Sequence, residues 1–326
     1  MRSAFPKPSA VPTLALALCL VFLLPGPARA LEKASLVLQW LPQAQFAGYF
    51  VALDKGFYAE EGIDLTIRPG GPDILASEQL EDGRADFATL FLTTGLERHE
   101  SLPLVNIAQI VQHSALMLIA RTSSGIKTFH DLDGRKVGLW ANEFQIQPRA
   151  LFRRENIHVT VVPQTSSLDL FMRGGVAACS GMWYNEYHTL LTYGLDETDL
   201  QPLFFTDAGL NFPEDGIYCL DKTARERPEV CAGLVRATLK GWRWAFEHKD
   251  EALDIVLRHM EAARVPAGRA HQRWMLERME DVTMPEGVPM GVLRREDYER
   301  VVRALTETRF VDHPPSYEDF YKGEAQ

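Results

Sequence analysis

Two short stretches carry side chains able to grip a small flat molecule. Trp40-Leu41-Pro42-Gln43-Ala44-Gln45 offers an indole and two amides, and Trp183-Tyr184-Asn185-Glu186 offers two rings, an amide and a carboxylate. An indole presents a rigid face with an N–H free to bond. Gln43, Gln45 and Asn185 supply donors and acceptors for a polar edge. Glu186, at the expected start of a helix, is favoured as a carboxylate by the helix dipole. There it is suited to a bidentate hydrogen bond from an amino-substituted heterocycle. Trp140 and Asn142 sit in another strand-end loop and would complete an aromatic wall, while Leu90 and Thr93 lie at a further strand end. This is the chemistry of recognition. Nucleophilic and metal chemistry lack their residues. There is no Ser-His-Asp order, no nucleophile elbow and no CxxC, and His99, His113, His130, His158 and His188 do not make a metal spacing. No cofactor is expected.

Those side chains need elements to hold them. Residues 36–71, LVLQWLPQAQFAGYFVALDKGFYAEEGIDLTIRPGG, read as strand, loop, helix, turn and strand. Leu36-Val37-Leu38 is apolar and β-favouring, and Pro42 stops it. Phe46, Tyr49, Phe50, Leu53 and Phe57 fall at helical spacing over residues 46–58. Gly56 is placed to end that helix in a left-handed conformation, and Gly62 turns the chain again. Ile63, Leu65 and Ile67 alternate with polar residues as a second strand. A βαβ unit of this size sets its strands parallel. Ligands of open α/β sheets sit beyond the carboxyl ends of such strands. Gln39-Trp40 and Pro69-Gly70-Gly71-Pro72 occupy those ends, which places a binding cleft there.

The chain of 326 residues is 46% hydrophobic, enough for two modest cores. Its first thirty residues read as a signal peptide. Arg2 and Lys7 precede a short apolar run over 14–24, and Ala28-Arg29-Ala30 fits a small-x-small cleavage site, so maturation is expected at Leu31 and the protein in the periplasm or outside the cell. Without Arg2, Lys7 and Arg29, 31 basic residues of the original 34 face 44 acidic ones, a net charge of −13. That balance argues against nucleic acid and anionic membrane as partners. Cys179, Cys219 and Cys231 are too few and too scattered for a disulfide framework and are expected as small buried residues.

Beyond residue 71 strands and helices alternate. The polar run Thr122-Ser123-Ser124-Gly125 reads as a crossover. A second βα series follows, with a strand over 176–179 and a helix over 183–193, and the chain returns through Gly216-Ile217-Tyr218-Cys219-Leu220. From residue 224 onward amphipathic helices dominate. The expected architecture is two α/β lobes joined by two crossover strands, with 31–120 and 219–326 forming the first lobe and 121–218 the second. Such lobes close over a ligand by a hinge.

Trp40-Leu41-Pro42-Gln43-Ala44-Gln45-Phe46-Ala47-Gly48-Tyr49-Phe50, Lys55-Gly56-Phe57-Tyr58, Glu61-Gly62-Ile63-Asp64 and Pro69-Gly70-Gly71 resemble the opening of a group of periplasmic binding proteins. The group comprises thiamine-pyrimidine precursor binders and, with the same fold, the thiamine pyrimidine synthases. Gly83-Arg84-Ala85-Asp86, residues 131–138 and residues 181–187 resemble later segments of the same family. The resemblance implies a bilobal type II periplasmic binding protein fold, an ABC permease and its ATPase as partners, and no catalysis. The synthases it includes use pyridoxal phosphate with a lysine and a histidine, at positions that correspond here to Leu90 and Thr94. A Schiff base needs an amine, and Leu90 has none. The expected protein is a monomeric solute-binding protein that sandwiches a heterocycle, a thiamine pyrimidine precursor first, between Trp40 and a second-lobe ring. A flavin, another vitamin fragment or a sulfonate remains open as ligand. A synthase using pyridoxal phosphate and a periplasmic sensor for a receptor kinase remain open as roles.

Overall fold

The computed structural model describes Met1 and residues 30–323. The expected leader falls on residues 2–29, outside the described residues, as do the side chains of Asn142 and Glu143. The strands are β1 (Glu32–Val37), β2 (Ile63–Arg68), β3 (Phe87–Phe91), β4 (Leu104–Gln109), β5 (Leu116–Arg121), β6 (Lys136–Leu139), β7 (Thr160–Pro163), β8 (Ala178–Met182), β9 (Leu200–Phe204) and β10 (Asp215–Leu220). They form two sheets of five, ordered β2-β1-β3-β10-β4 and β7-β6-β8-β5-β9.

The opening unit forms as its pattern dictates. β1 and β2 are parallel, and apolar residues of β2 alternate inward. The helix with its apolar residues from Phe46 spans Ala47–Asp54 and ends before Gly56, as expected, and a second short helix, Phe57–Glu60, follows it. Gly56 between them takes φ +76°, which a right-handed helix cannot pass through. The helix Ala47–Asp54 packs against Pro228–Glu247 almost backbone to backbone. A Cβ on Gly241 would stand 2.1 Å from the Gly48 carbonyl oxygen, and one on Gly48 would stand 2.2 Å from the Trp242 ring. Trp242 is fully buried there.

The two sheets mirror each other. Each is parallel except at the strand that arrives from the other lobe: β10 is antiparallel to β3 and β4, and β5 to β8 and β9. The chain crosses at residues 110–115 and returns at 205–214. These places differ from the expected boundaries. β5, assigned to the first lobe by sequence, lies inside the second sheet, and β10 lies whole in the first instead of straddling residue 218. The polar run over 122–125 is only a turn after β5. The true crossing is buried, with Ile110, Val111, Gln112, Ser114 and Ala115 covered by a second backbone segment. A polar linker is the signature of a solvated connection, and this one is dry.

Two further differences bear on the site. β8 runs on to Met182, because residues 180–182 pair with Leu116–Leu118 of β5. Trp183, Tyr184 and Asn185 therefore form a turn, and the helix begins at Glu186 (Glu186–Thr192). β9 escaped notice in the sequence because Pro202 interrupts it. It is an edge strand, where a missing N–H is tolerated. Finally, the helix Arg269–Thr283 joins both lobes. Gln272 Oε1 accepts the Ala44 N–H at 2.7 Å, Trp274 Nε1 donates to the Trp183 carbonyl at 3.0 Å, and the Val282 carbonyl accepts the Gln112 and His113 N–H groups. No helix among the described residues is long and apolar enough to cross a membrane.

Candidate functional site

The two crossings run side by side and are tied together by backbone hydrogen bonds. The Ile110 and Val111 N–H groups donate to the Asp215 carbonyl, and the Glu214 N–H donates to Val111. The buried Gln109 amide bridges the carbonyls of Val111, Glu214 and Asp215. At this junction Glu214 immediately precedes β10 and Asp215 opens it. Successive side chains of an extended strand face opposite ways, so the two carboxyls divide between the lobes.

Asp215 serves the first lobe. Gln45 Nε2 donates to its Oδ2 at 2.9 Å, and Gln39 donates to its Oδ1. Gln43 Nε2 in turn donates to Gln45 Oε1 at 2.8 Å. Glu214 serves the second lobe. Its Oε1 takes the Ala115 N–H at 2.6 Å, the Leu116 N–H at 3.1 Å and the Ser114 hydroxyl at 3.1 Å. Its Oε2 is buried and meets no hydrogen-bond partner. Burial pushes the Asp215 carboxyl up to about 6 against its two amide donors. Burial, then the neighbouring Asp215 charge, pushes Glu214 up to about 8 against its three donors.

Glu214 lines a small cavity of about 20 Å³ at the seam of the lobes, together with Phe91, Thr93, Phe144, Gln147 and Phe212. That is room for about one water molecule, so the lobes meet closely here. The Phe91 and Phe144 rings, one from each lobe, meet edge to face at 5.2 Å, and Trp140 stands against Phe144 at 5.4 Å. Gln147 accepts from Ser114 and donates to the Leu210 carbonyl, which binds the second lobe to both crossings.

The expected site residues fall into three groups. Gln43 and Gln45 are buried, Gln45 bonded to Asp215 and Gln43 to Gln45. Thr93 lines the cavity, while Leu90 is buried in β3 opposite Gly216. Tyr184 is buried, and its phenol is pushed well up by burial, with Glu214, Asp215 and Glu186 adding to the effect. Trp183, Asn185 and Glu186 lie against the helix Arg269–Thr283. Arg278 covers the Trp183 ring at 4.9 Å, and His271 Nε2 meets Asn185 Oδ1 at 2.8 Å. The Glu186 carboxyl takes the Met182 N–H and the Asn185 amide. Contrary to the expected dipole-stabilised carboxylate, burial outweighs the helix terminus and lifts it to about 7. Trp40 is half-buried in the loop after β1. Among the described residues no second-lobe ring pairs with it; at the cavity the rings that meet across the seam are Phe91 and Phe144. The Asn142 side chain lies outside the described residues. The three cysteines are buried and free, and no group of residues that could hold a metal ion occurs among the described residues.

Sequence reasoning placed Gln39 at the cleft without giving it a role, and missed Phe91, Phe144, Gln147, Glu214 and Asp215. The acids did leave a signal: two adjacent charges lead directly into the apolar Ile217-Tyr218-Cys219-Leu220, so one or both must enter a dry interior.

Two mixed five-stranded sheets, each receiving one strand from across a double crossing, define a type II periplasmic binding protein fold. The periplasmic aliphatic sulphonate binding protein SsuA from Escherichia coli superposes with a TM-score of 0.67 at 15% identity, over 90% of this chain and 93% of that one. The profile of the NMT1/THI5-like family matches residues 43–252, and the chain belongs to that family. The formylaminopyrimidine-binding protein of Halalkalibacterium halodurans is 28% identical over 309 residues, covering 90% of each protein. The riboflavin-binding protein RibY of Chloroflexus aurantiacus is 27% identical over 270 residues, 79% of this chain and 73% of that protein. The 4-amino-5-hydroxymethyl-2-methylpyrimidine phosphate synthase of Legionella pneumophila is 24% identical over 248 residues, 72% of this chain and 76% of that protein.

Proposed function

We propose that this chain is the exported solute-binding component of an ABC importer. It captures a small aromatic nitrogen heterocycle between its lobes, a thiamine pyrimidine precursor before a flavin or another vitamin fragment, and presents its closed form to the permease. One observation carries this reading. Phe91 and Thr93 of the first lobe, Phe144 and Gln147 of the second, and Glu214 of the return crossing converge on one cavity. A ligand held there is held by both lobes, so occupancy and closure are linked. Flat rings favour an aromatic solute, and the few polar groups fix its edge. No basic side chain lines the cavity among the described residues, whereas a sulfonate would prefer an arginine. The formylaminopyrimidine and riboflavin binders among the relatives support a nitrogen heterocycle. Against the synthase reading, Leu90 supplies no amine, and the relatives similar over most of the chain include two binding proteins.

The test is a thermal-shift panel on the chain from Leu31: 4-amino-5-hydroxymethyl-2-methylpyrimidine, thiamine, riboflavin, pyridoxal phosphate and small sulfonates. A ligand at a hundred times its Kd stabilises the native state by about 2.7 kcal/mol. A shift with the aminopyrimidine or riboflavin, lost in Phe91→Leu, supports the reading, and Trp40→Leu asks whether the expected first-lobe indole also contributes. A shift with pyridoxal phosphate or a sulfonate alone would overturn it.

A further inference from the structure

We propose that Glu214 reads the ligand as a neutral carboxylic acid, its Oε2–H donating to an unprotonated ring nitrogen of the captured heterocycle. This rests on the seam being the ligand site. Two backbone donors, the Ala115 and Leu116 N–H groups, already converge on Oε1, and the single Ser114 hydroxyl proton is shared between it and Gln147 Oε1. An oxygen so surrounded has no room for a proton of its own, so the proton of the neutral acid belongs on Oε2. That is the atom left buried and without a partner on a residue lining the seam cavity. A buried polar group without a partner is costly, and a ligand that supplies the partner recovers the cost.

The neighbouring carboxyl explains why the acid is neutral. Glu214 and Asp215 are adjacent, and both are buried. Two carboxylates so placed do not both ionise readily in a dry site. Asp215 receives an amide donor on each oxygen, so it holds the single charge. Glu214 keeps the proton, consistent with burial lifting it to about 8. The other titratable group facing it is the Tyr184 phenol from the turn after β8, which burial and the surrounding acids keep protonated. Glu186 lies behind Tyr184 and titrates lower, at about 7. A carboxylic acid donor selects ring nitrogens with a free lone pair and rejects carbon isosteres, which leave it unpaired.

The experiment is titration calorimetry of the chain from Leu31 between pH 7.5 and 9.5. The probes are 4-amino-5-hydroxymethyl-2-methylpyrimidine and riboflavin, both with unprotonated ring nitrogens in that range. The expected result is an affinity that falls above pH 8, approaching about tenfold per unit. Glu214→Gln keeps an acceptor for the three donors and places an N–H where the acid has its O–H. It is expected to bind roughly fivefold more weakly at pH 7.5, with no decline as pH rises. Infrared spectra without ligand should show a protonated-carboxyl band at pH 7.5 that is stronger in the wild type than in Glu214→Gln, where only the minor protonated fraction of Glu186 contributes. Affinity that is flat or rises with pH in the wild type, or absence of that difference between the bands, overturns the inference and leaves the importer reading standing. Failure of both probes to bind at any pH sinks the importer reading, and this inference with it.

Discussion

Glu214 and Asp215 are adjacent, equally deep and chemically alike, yet the two lobes treat them differently. The first lobe meets Asp215 with side-chain amides, one on each oxygen, from the glutamine loop after β1. The second lobe meets Glu214 with two backbone N–H groups and a hydroxyl, all on one oxygen. Asp215 is a finished structural anion. Glu214 is half used, anchored by one atom and open at the other. The chain thus fastens one lobe completely at Asp215 and leaves one oxygen of Glu214 buried without a partner at the other. On the proposed reading, a crossing contributes to the binding seam without a separate loop being built for it.

The largest expected effect comes from truncation. Glu214→Ala leaves the Ala115 and Leu116 N–H groups buried with no acceptor, and backbone groups cannot turn away. The expected loss is about 3–5 kcal/mol in urea unfolding at neutral pH. Asp215→Ala strands the Gln39 and Gln45 amides, but side chains can rotate toward new partners, so about 2–3 kcal/mol is expected. A larger loss at Asp215 than at Glu214 would break the comparison, since it would place the stronger anchorage in the first lobe.

The pH dependence follows from the same asymmetry. Glu214 holds its proton more tightly folded, at about 8, than at its ordinary 4.5. Between those values the native state binds more protons than the unfolded chain, so stability falls as pH rises. The contribution is complete below about pH 4.5 and gone once the pH has passed about 8. The unfolding free energy of the wild type minus that of Glu214→Gln should therefore decline across that window by at most about 1.4 kcal/mol per unit. A rising difference would show that Glu214 is a carboxylate in the native protein.

Much of the fold was legible in the sequence, because it rests on local signals. The alternation of Ile63, Leu65 and Ile67, the helical spacing from Phe46 to Phe57 and the left-handed position of Gly56 are properties of neighbours along the chain. The crossings were misplaced because Ile110, Val111 and Ala115 read as ordinary core; only the paired return segment makes them a hinge. The site was legible in type more than in arrangement. Gln43 and Gln45 read as polar contacts, but the carboxyl that Gln45 holds stands some 170 residues further on. Likewise, Glu186 looked like a free first-turn carboxylate, because the sequence does not show that Met182 and Asn185 enclose it. Long-range pairings decide which polar groups are occupied, and no local pattern encodes them.

The smallest effects sharpen the comparison most. Replacing each acid by its amide changes no volume and tests only which atoms donate. In Glu214→Gln the new Oε1 accepts the same three donors, and Nε2 stands where the neutral acid carries its proton. At pH 7 the variant should be no less stable than the wild type, because it does not have to hold a proton that the unfolded chain releases. In Asp215→Asn one oxygen becomes an NH₂ that faces an amide donor, either Gln39 or Gln45. Gln45 cannot turn its amide over without losing the hydrogen bond that Gln43 donates to its Oε1. The NH₂ is therefore directed at Gln39, whose amide must turn over to accept it, at about 1 kcal/mol, and the loss should grow when Gln39→Leu leaves that NH₂ without an acceptor. Urea midpoints of the two amide variants and of Asp215→Asn with Gln39→Leu measure all three quantities. Equal losses in the two single amide variants would mean that Glu214, like Asp215, is held as an anion, and the division of one charge between two neighbouring carboxyls would fall.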